Sequence, residues 1–149
     1  MTEILFYHLD RQPLERVLPE LLEKCLERGW RAVVQVGSEE RRDALDAHLW
    51  TYREEAFLPH GTVKDGSAEA QPVWLTTSPE NPNQATVRFL ADGVEIAELG
   101  AYARVVVLFD GNDQDAVQRA RETWKSVKAD GHEVTYWQQS DRGRWEKKA

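Results

Sequence analysis

The stretch Ile4-Leu5-Phe6-Tyr7-His8-Leu9, followed after a turn by Leu14, Val17, Leu18, Leu21, Leu22, Cys25 and Leu26, decides the fold class. Its first six residues form a short, nearly unbroken apolar run, the mark of a strand covered on both faces. The seven that follow step by threes and fours, which places them on one face of a helix. Pro19 interrupts that pattern. Lacking an amide proton, it predicts either a helix that starts near Leu18 or one whose first turns are kinked. Gly29 closes the helix, and Arg31 to Gly37 reads as a second buried strand. Ser38 is a good N-cap, with Glu39 and Glu40 complementing the dipole of a helix that runs to Trp50. Strand, helix, strand, helix with short links is the opening of an α/β fold with parallel strands.

Farther along, Val73–Thr77, Thr86–Leu90 and Arg104–Phe109 read as strands, the first two separated by the turn-rich segment Ser78-Pro79-Glu80-Asn81-Pro82-Asn83. The polar, Gly-containing segment from Pro59 to Pro72 predicts a mobile loop. Val94 to Leu99 fits a short helix or a strand equally well. Asp110 to Asp113 turns and caps a helix from Gln114 to Ala129, with Gly131 as its stop. Glu133 to Trp137 reads as a last strand. The division expected is one domain over residues 1–137 and a loose, polar tail over 138–149, with Trp145 able to dock.

The 149 residues carry a formal charge of −7, with 41% hydrophobic and 30% charged residues, which fits a globular chain and excludes a disordered or collagen-like one. One cysteine, Cys25, cannot build an internal disulfide or a thiolate zinc cage, so a reducing cytoplasm is the expected setting. No apolar stretch approaches the ~18 residues of a membrane span, and the opening Met1-Thr2-Glu3 predicts no signal peptide. The acidity argues against gripping a phosphate backbone as the main task. It is unevenly placed. Residues 1–100 hold 10 basic and 18 acidic groups, whereas residues 101–149 hold nine and eight, so an anionic partner belongs to the last third.

The chemistry of nucleotide binding is missing. A dinucleotide fingerprint needs several glycines in the first strand-to-helix turn, where backbone approaches a pyrophosphate, and Asp10 to Pro13 has none. The histidines at 8, 48, 60 and 132 lie in separate elements, and no pair has the i, i+4 spacing of a helical zinc site, so neither metal nor cofactor is expected. His8 and Asp10 fall at the carboxyl end of the first strand, where α/β enzymes gather their ligands. With Ser38 they form the candidate catalytic set, against which stand a hydrogen-bonded structural histidine and an N-cap serine. Cys25 belongs to the apolar stripe, as a buried, inert thiol does.

The helix after Asp113 is more informative. At about 100° per residue, Ala116, Ala120, Thr123 and Val127 make a small, apolar side suited to packing on a sheet. Val117, Arg121, Trp124 and Lys128 make an adjacent side, flanked by Lys125. From Val117 to Lys128, Arg119, Arg121, Lys125 and Lys128 stand against Glu122 alone, locally positive in an acidic chain. Such a face is either a solvated surface with a tryptophan resting on the sheet edge, or a shallow pocket for an acidic peptide carrying an aromatic side chain. In the second case Arg121 takes a carboxylate bidentately, Trp124 and Val117 hold the ring, and the lysines steer approach. A single-stranded nucleic-acid groove needs several stacking aromatics, and this helix has one. A second cluster, Trp50, Tyr52, Phe57, Leu58 and Pro59, is either a plug over a core edge or a hot spot for another protein.

Ala120-Arg121-Glu122-Thr123-Trp124-Lys125, Leu49-Trp50 with Ala56-Phe57-Leu58-Pro59-His60, and Ile4 to Leu9 together resemble the chi subunit of bacterial DNA polymerase III, over nearly the whole chain. The resemblance implies a single Rossmann-like three-layer α/β domain with a mostly parallel sheet, lacking the nucleotide-binding fingerprint. It implies no catalysis. The family is an accessory of the clamp loader, linked through the psi subunit to the single-stranded-DNA-binding protein, whose acidic C-terminal tail ends in phenylalanine. Carried over, the tail-binding residues fall on Arg121, Trp124 and Lys125, beside Val117 and Lys128, and the surface for psi, or for a helicase competing with it, falls on Trp50 and Phe57. Nucleic acid is then touched only indirectly, and no membrane is involved. Two positions depart from the pattern: Val117 where the family can have lysine, and Asp110 where it can have an aliphatic residue.

Overall fold

The structure, a computed structural model, describes residues 2–52, 58–95 and 99–149. Ten elements follow in chain order: β1 (Glu3–Leu9), α1 (Leu14–Glu27), β2 (Ala32–Gln35), α2 (Glu39–Thr51), β3 (Val73–Thr76), β4 (Val87–Leu90), β5 (Arg104–Asp110), α3 (Gln114–Ala129), β6 (Glu133–Gln139) and β7 (Trp145–Lys147). The strands form one sheet in the order β3-β2-β4-β5-β1-β6-β7. Every pairing is parallel except β6 with β7. The architecture is therefore the expected three-layer α/β domain with a mostly parallel sheet.

Strand alternation sorts the side chains into two cores. On one face, Leu9, Val34, Phe89, Val106 and Leu108 pack with Val17, Leu18, Leu22, Leu45 and Leu49 of α1 and α2. On the other, Ile4, Phe6, Val33, Val105 and Phe109 pack with Ala120 and Val127 of α3. Phe6 and Phe89 are fully buried, and each such side chain contributes roughly 1.5–3 kcal/mol. Cys25 is buried in the first core, where desolvation pushes its thiol up from the usual range.

Pro19 neither delays nor ends α1, which starts at Leu14 and runs through it. The carbonyl a proline leaves unpaired is that of residue i−4, here Glu15. That oxygen accepts a 2.7 Å hydrogen bond from His48 Nε2 of α2, so a neighbouring helix supplies the missing donor. Ser38 caps α2 as expected, its Oγ accepting the Arg41 N–H.

Two other segments differ from expectation. The start of the 59–72 segment lies along the sheet edge, with Gly61 N donating to Val73 O and Leu75 N to Gly61 O, both at 2.9 Å. The tail is not loose: β6 continues to Gln139, and the chain turns at Gly143 and returns as β7. Trp145 packs edge-on against Tyr7, centroids 4.8 Å apart. An aromatic with an apolar neighbour in reach outweighed the polar composition around it. Among the described residues, no helix is long and apolar enough to cross a membrane.

Candidate peptide-binding face

Helix α3 begins where the Asp113 carboxylate accepts the N–H groups of Asp115 and Ala116, and it ends before Gly131, whose φ of 89° suits glycine alone. Packing on the sheet fixes the helix in rotation. Ala120 and Val127 are buried against the sheet and Ala116 and Thr123 half-buried. The adjacent face, Val117, Arg121, Trp124 and Lys128, therefore lies along the rim beside β1 and β6.

Trp124 is half-buried. Its indole is held edge-on by Phe6 at 5.6 Å and 67°, and by Tyr136 of β6 at 5.9 Å and 78°. The register places Phe6 opposite Tyr136, so both rings rise on the same side to meet α3. Lys128 Nζ sits 5.4 Å from the indole centroid. Arg121, Lys125 and Lys128 are exposed, and none of the three makes a hydrogen bond or ion pair among the described residues. Arg121 nevertheless reaches electrostatically to His8 and Tyr136, and acts to lower the pKa of each. The arrangement is a held aromatic wall beside an unspent guanidinium, able to receive a carboxylate and a ring together. Val117 is half-buried and widens the apolar part; Asp110, at the end of β5, spends Oδ1 on the Asn112 N–H.

A family model described as "DNA polymerase III chi subunit, HolC" matches residues 1–135. The chain belongs to the DNA polymerase III chi subunit family. Two curated relatives agree. The "Probable DNA polymerase III subunit chi" of Rickettsia prowazekii is 26% identical over 117 residues, covering 74% of this chain and 71% of the relative. The "DNA polymerase III subunit chi" of Pseudomonas aeruginosa is 30% identical over 84 residues, covering 54% of this chain and 59% of the relative. The family is one of accessory subunits of DNA polymerase III, so the setting is DNA replication.

In this chi-family fold the other candidate residues lie apart from α3. Trp50, at the end of α2, is 49% exposed and stacks at a tilt on the His60 ring at 4.4 Å. His60 is itself buried, Nδ1 donating to Leu58 O at 2.7 Å and Nε2 lying 3.0 Å from the Asp46 carboxylate. Phe57 lies outside the described residues. The catalytic alternative is only half assembled. His8 Nε2 stands 3.9 Å from Asp10 Oδ2, too far for a hydrogen bond, while Ser38 Oγ serves the α2 cap.

At the carboxyl ends of β1, β4 and β5, where α1 and α3 leave for opposite faces, a crevice of about 650 Å³ does exist. In other α/β folds that is the nucleotide position. Here its walls carry Asp10, Asp92, Asp110 and Asp113, and Arg41 spans it by pairing with both Glu15 and Asp92. With Glu15 the lining holds five carboxylates against Arg11, Arg41 and Arg119, a net negative charge that disfavours a pyrophosphate. Among the described residues no group of three His, Cys, Asp or Glu side chains is placed to hold a metal ion.

The sequence reading of His8 as a hydrogen-bonded structural histidine agrees with the structure, but it did not find the partner, Tyr136. His8 Nδ1 lies 2.5 Å from the Tyr136 hydroxyl. The signal was a long-range one, the adjacency of β6 and β1, which no local pattern carries.

Proposed function

We propose that this chain is a non-catalytic adaptor of the replication machinery. Its α3 face takes the acidic, Phe-terminated C-terminal tail of single-stranded-DNA-binding protein, and its α2 end meets a second subunit of the clamp loader, psi or an equivalent, or a helicase. The observation that carries this reading is the pairing of Arg121, exposed and without a partner among the described residues, with the half-buried Trp124 ring. Arg121 supplies the bidentate grip on the terminal carboxylate, Trp124 and Val117 the wall for the phenyl ring, and Lys125 and Lys128 the attraction for upstream acids. Trp50 with Phe57 supplies the separate anchor. The setting is the cytoplasm, where replication proceeds.

Calorimetry tests the tail site with a short synthetic peptide rich in aspartate and ending in phenylalanine. Charge-assisted hydrogen bonds are worth about 1.5–3 kcal/mol, so Arg121→Ala is expected to weaken binding by about tenfold or more. Trp124→Ala is expected to do the same through lost ring burial. Lys125→Ala and Lys128→Ala remove exposed charges and cost only a few-fold. Trp50→Ala leaves the peptide affinity unchanged. Unaltered affinity in both Arg121→Ala and Trp124→Ala would refute the assignment.

A further inference from the structure

Behind Trp124 stands a layer of rings that the tail site as described does not use. The His8 imidazole is wedged between Phe109, at 5.2 Å, and Tyr136, at 5.8 Å. The Gly111 backbone closes its open edge, so tightly that a Cβ there would come within 2.2 Å of Cδ2 and Nε2. The ring is thus flanked on three sides. Its Nδ1 meets the Tyr136 hydroxyl at 2.5 Å, and the Tyr136 ring in turn abuts the Trp124 indole. The chain of contact runs from His8 through Tyr136 to the wall of the peptide site. We propose that His8 is a positioning residue of that site and its proton sensor, so that acidic-peptide binding on α3 tightens when His8 takes up a proton.

The charges around His8 give the sign. Asp10 on β1 and Asp110 at the end of β5 favour the imidazolium, while Arg121 on α3 opposes it. Tyr136 on β6 is kept neutral, its hydroxyl pushed above the ordinary tyrosine range mainly by burial. Burial, the largest influence, together with Arg121 leaves His8 below the usual histidine range, hence neutral at pH 7. A carboxylate docked on Arg121 offsets the cation that opposes protonation. By reciprocity, a protonated His8 then strengthens the docking by the same factor. The wall survives the change. Neutral His8 accepts the Tyr136 O–H, and charged His8 donates Nδ1–H to the same oxygen. Asp10 Oδ1, buried and without a hydrogen-bond partner among the described residues, is a spare acceptor nearby.

Resting as it does on the tail-binding assignment of α3, the proposal is tested by calorimetry of the full chain with the aspartate-rich, Phe-terminated peptide. Titrations run from pH 8 to pH 5.5, where peptide carboxylates stay ionised, in buffers of different ionisation enthalpy. Binding is expected to be about two- to fivefold tighter at pH 5.5, with net proton uptake. His8→Gln keeps a polar partner for Tyr136 without titrating; the ratio of its affinities at pH 5.5 and pH 8 should fall to one, whatever its affinity at pH 8. Tyr136→Phe should weaken binding several-fold at every pH. Tight, pH-independent binding by the parent chain, or a pH response that persists in His8→Gln, overturns the proposal while leaving the tail site intact. Failure of the parent chain to bind the peptide at all overturns both.

Discussion

Two arginines show how little residue type says about availability. Arg88 and Arg121 count equally in the charge balance, yet Arg88 is 2% exposed and Arg121 stands in solvent. Arg88 donates to Gln35 Oε1, Ser78 O, Glu80 O and Tyr102 Oη, holding the link before β4 against the sheet. The same link is tied from the other side. Glu80 accepts Trp74 Nε1–H and Thr76 O–H, and those bonds hold its carboxyl below the usual range. A buried cation of this kind serves the fold, because no anion can reach it. Arg88→Met would leave four acceptors short of a donor inside the protein, and is expected to cost about 3 kcal/mol, read as a lower urea midpoint with unchanged slope. Arg88→Lys should recover only part, since one ammonium cannot span the fork that a guanidinium fills. Sequence alone had Arg88 as one polar position in a strand. Its burial follows from β4 lying inside the sheet, a fact of strand order.

Among the elements, those defined by local pattern were legible and those defined by pairing were not. The apolar runs of β1, β2 and β5, the Ser38 and Asp113 caps and the stripe of α1 each carry their signal within a few residues. So does the division of α3 into a packing side and a basic side. The adjacency of β6 to β1 and the His8–Tyr136 contact join residues more than a hundred positions apart, where no periodicity operates, and β7 is a three-residue strand set by its hairpin pairing with β6. Pro19 is the instructive intermediate case. Its local rule, that a carbonyl is orphaned, held; the partner came from α2. His48→Ala should therefore remove the donor for Glu15 O and destabilise the chain by about 1 kcal/mol. In a Pro19→Ala background the restored amide serves that carbonyl, so the same substitution should cost less. A double-mutant cycle by urea denaturation is expected to return a coupling of about 1 kcal/mol between residues 19 and 48. Additive losses would place the role of His48 elsewhere, for instance in its tilted contact with Tyr52 at 6.4 Å.

At the scale of the molecule, a net charge of −7 coexists with an exposed cationic face on α3, and the fold explains how. In the crevice at the strand ends five carboxylates outnumber three arginines, while Arg121, Lys125 and Lys128 are exposed on α3. An approaching acidic peptide meets repulsion from the whole at long range and attraction from α3 at short range. Ionic strength separates the two, since the screening length falls from about 30 Å at 0.01 M salt to about 8 Å at 0.15 M. The association rate constant for the acidic peptide should thus rise as salt first removes the global repulsion. It should fall again toward about 0.5 M as the local pairs are screened. Bare single-stranded DNA finds no compensating contact of this kind: stacking needs successive aromatics, and Trp124 is one ring on a short basic face. Its binding at about 0.15 M salt should be no tighter than about 10⁻⁴ M, the weak end of the non-specific range, and should decline monotonically with salt. Stopped-flow measurement with both ligands decides the matter. Oligonucleotide binding in the micromolar range at physiological salt, with a steep salt slope, would make α3 a nucleic-acid surface in its own right, whereas a maximum in the peptide rate with weak oligonucleotide binding fits an adaptor that reads the tail of the protein coating the strand.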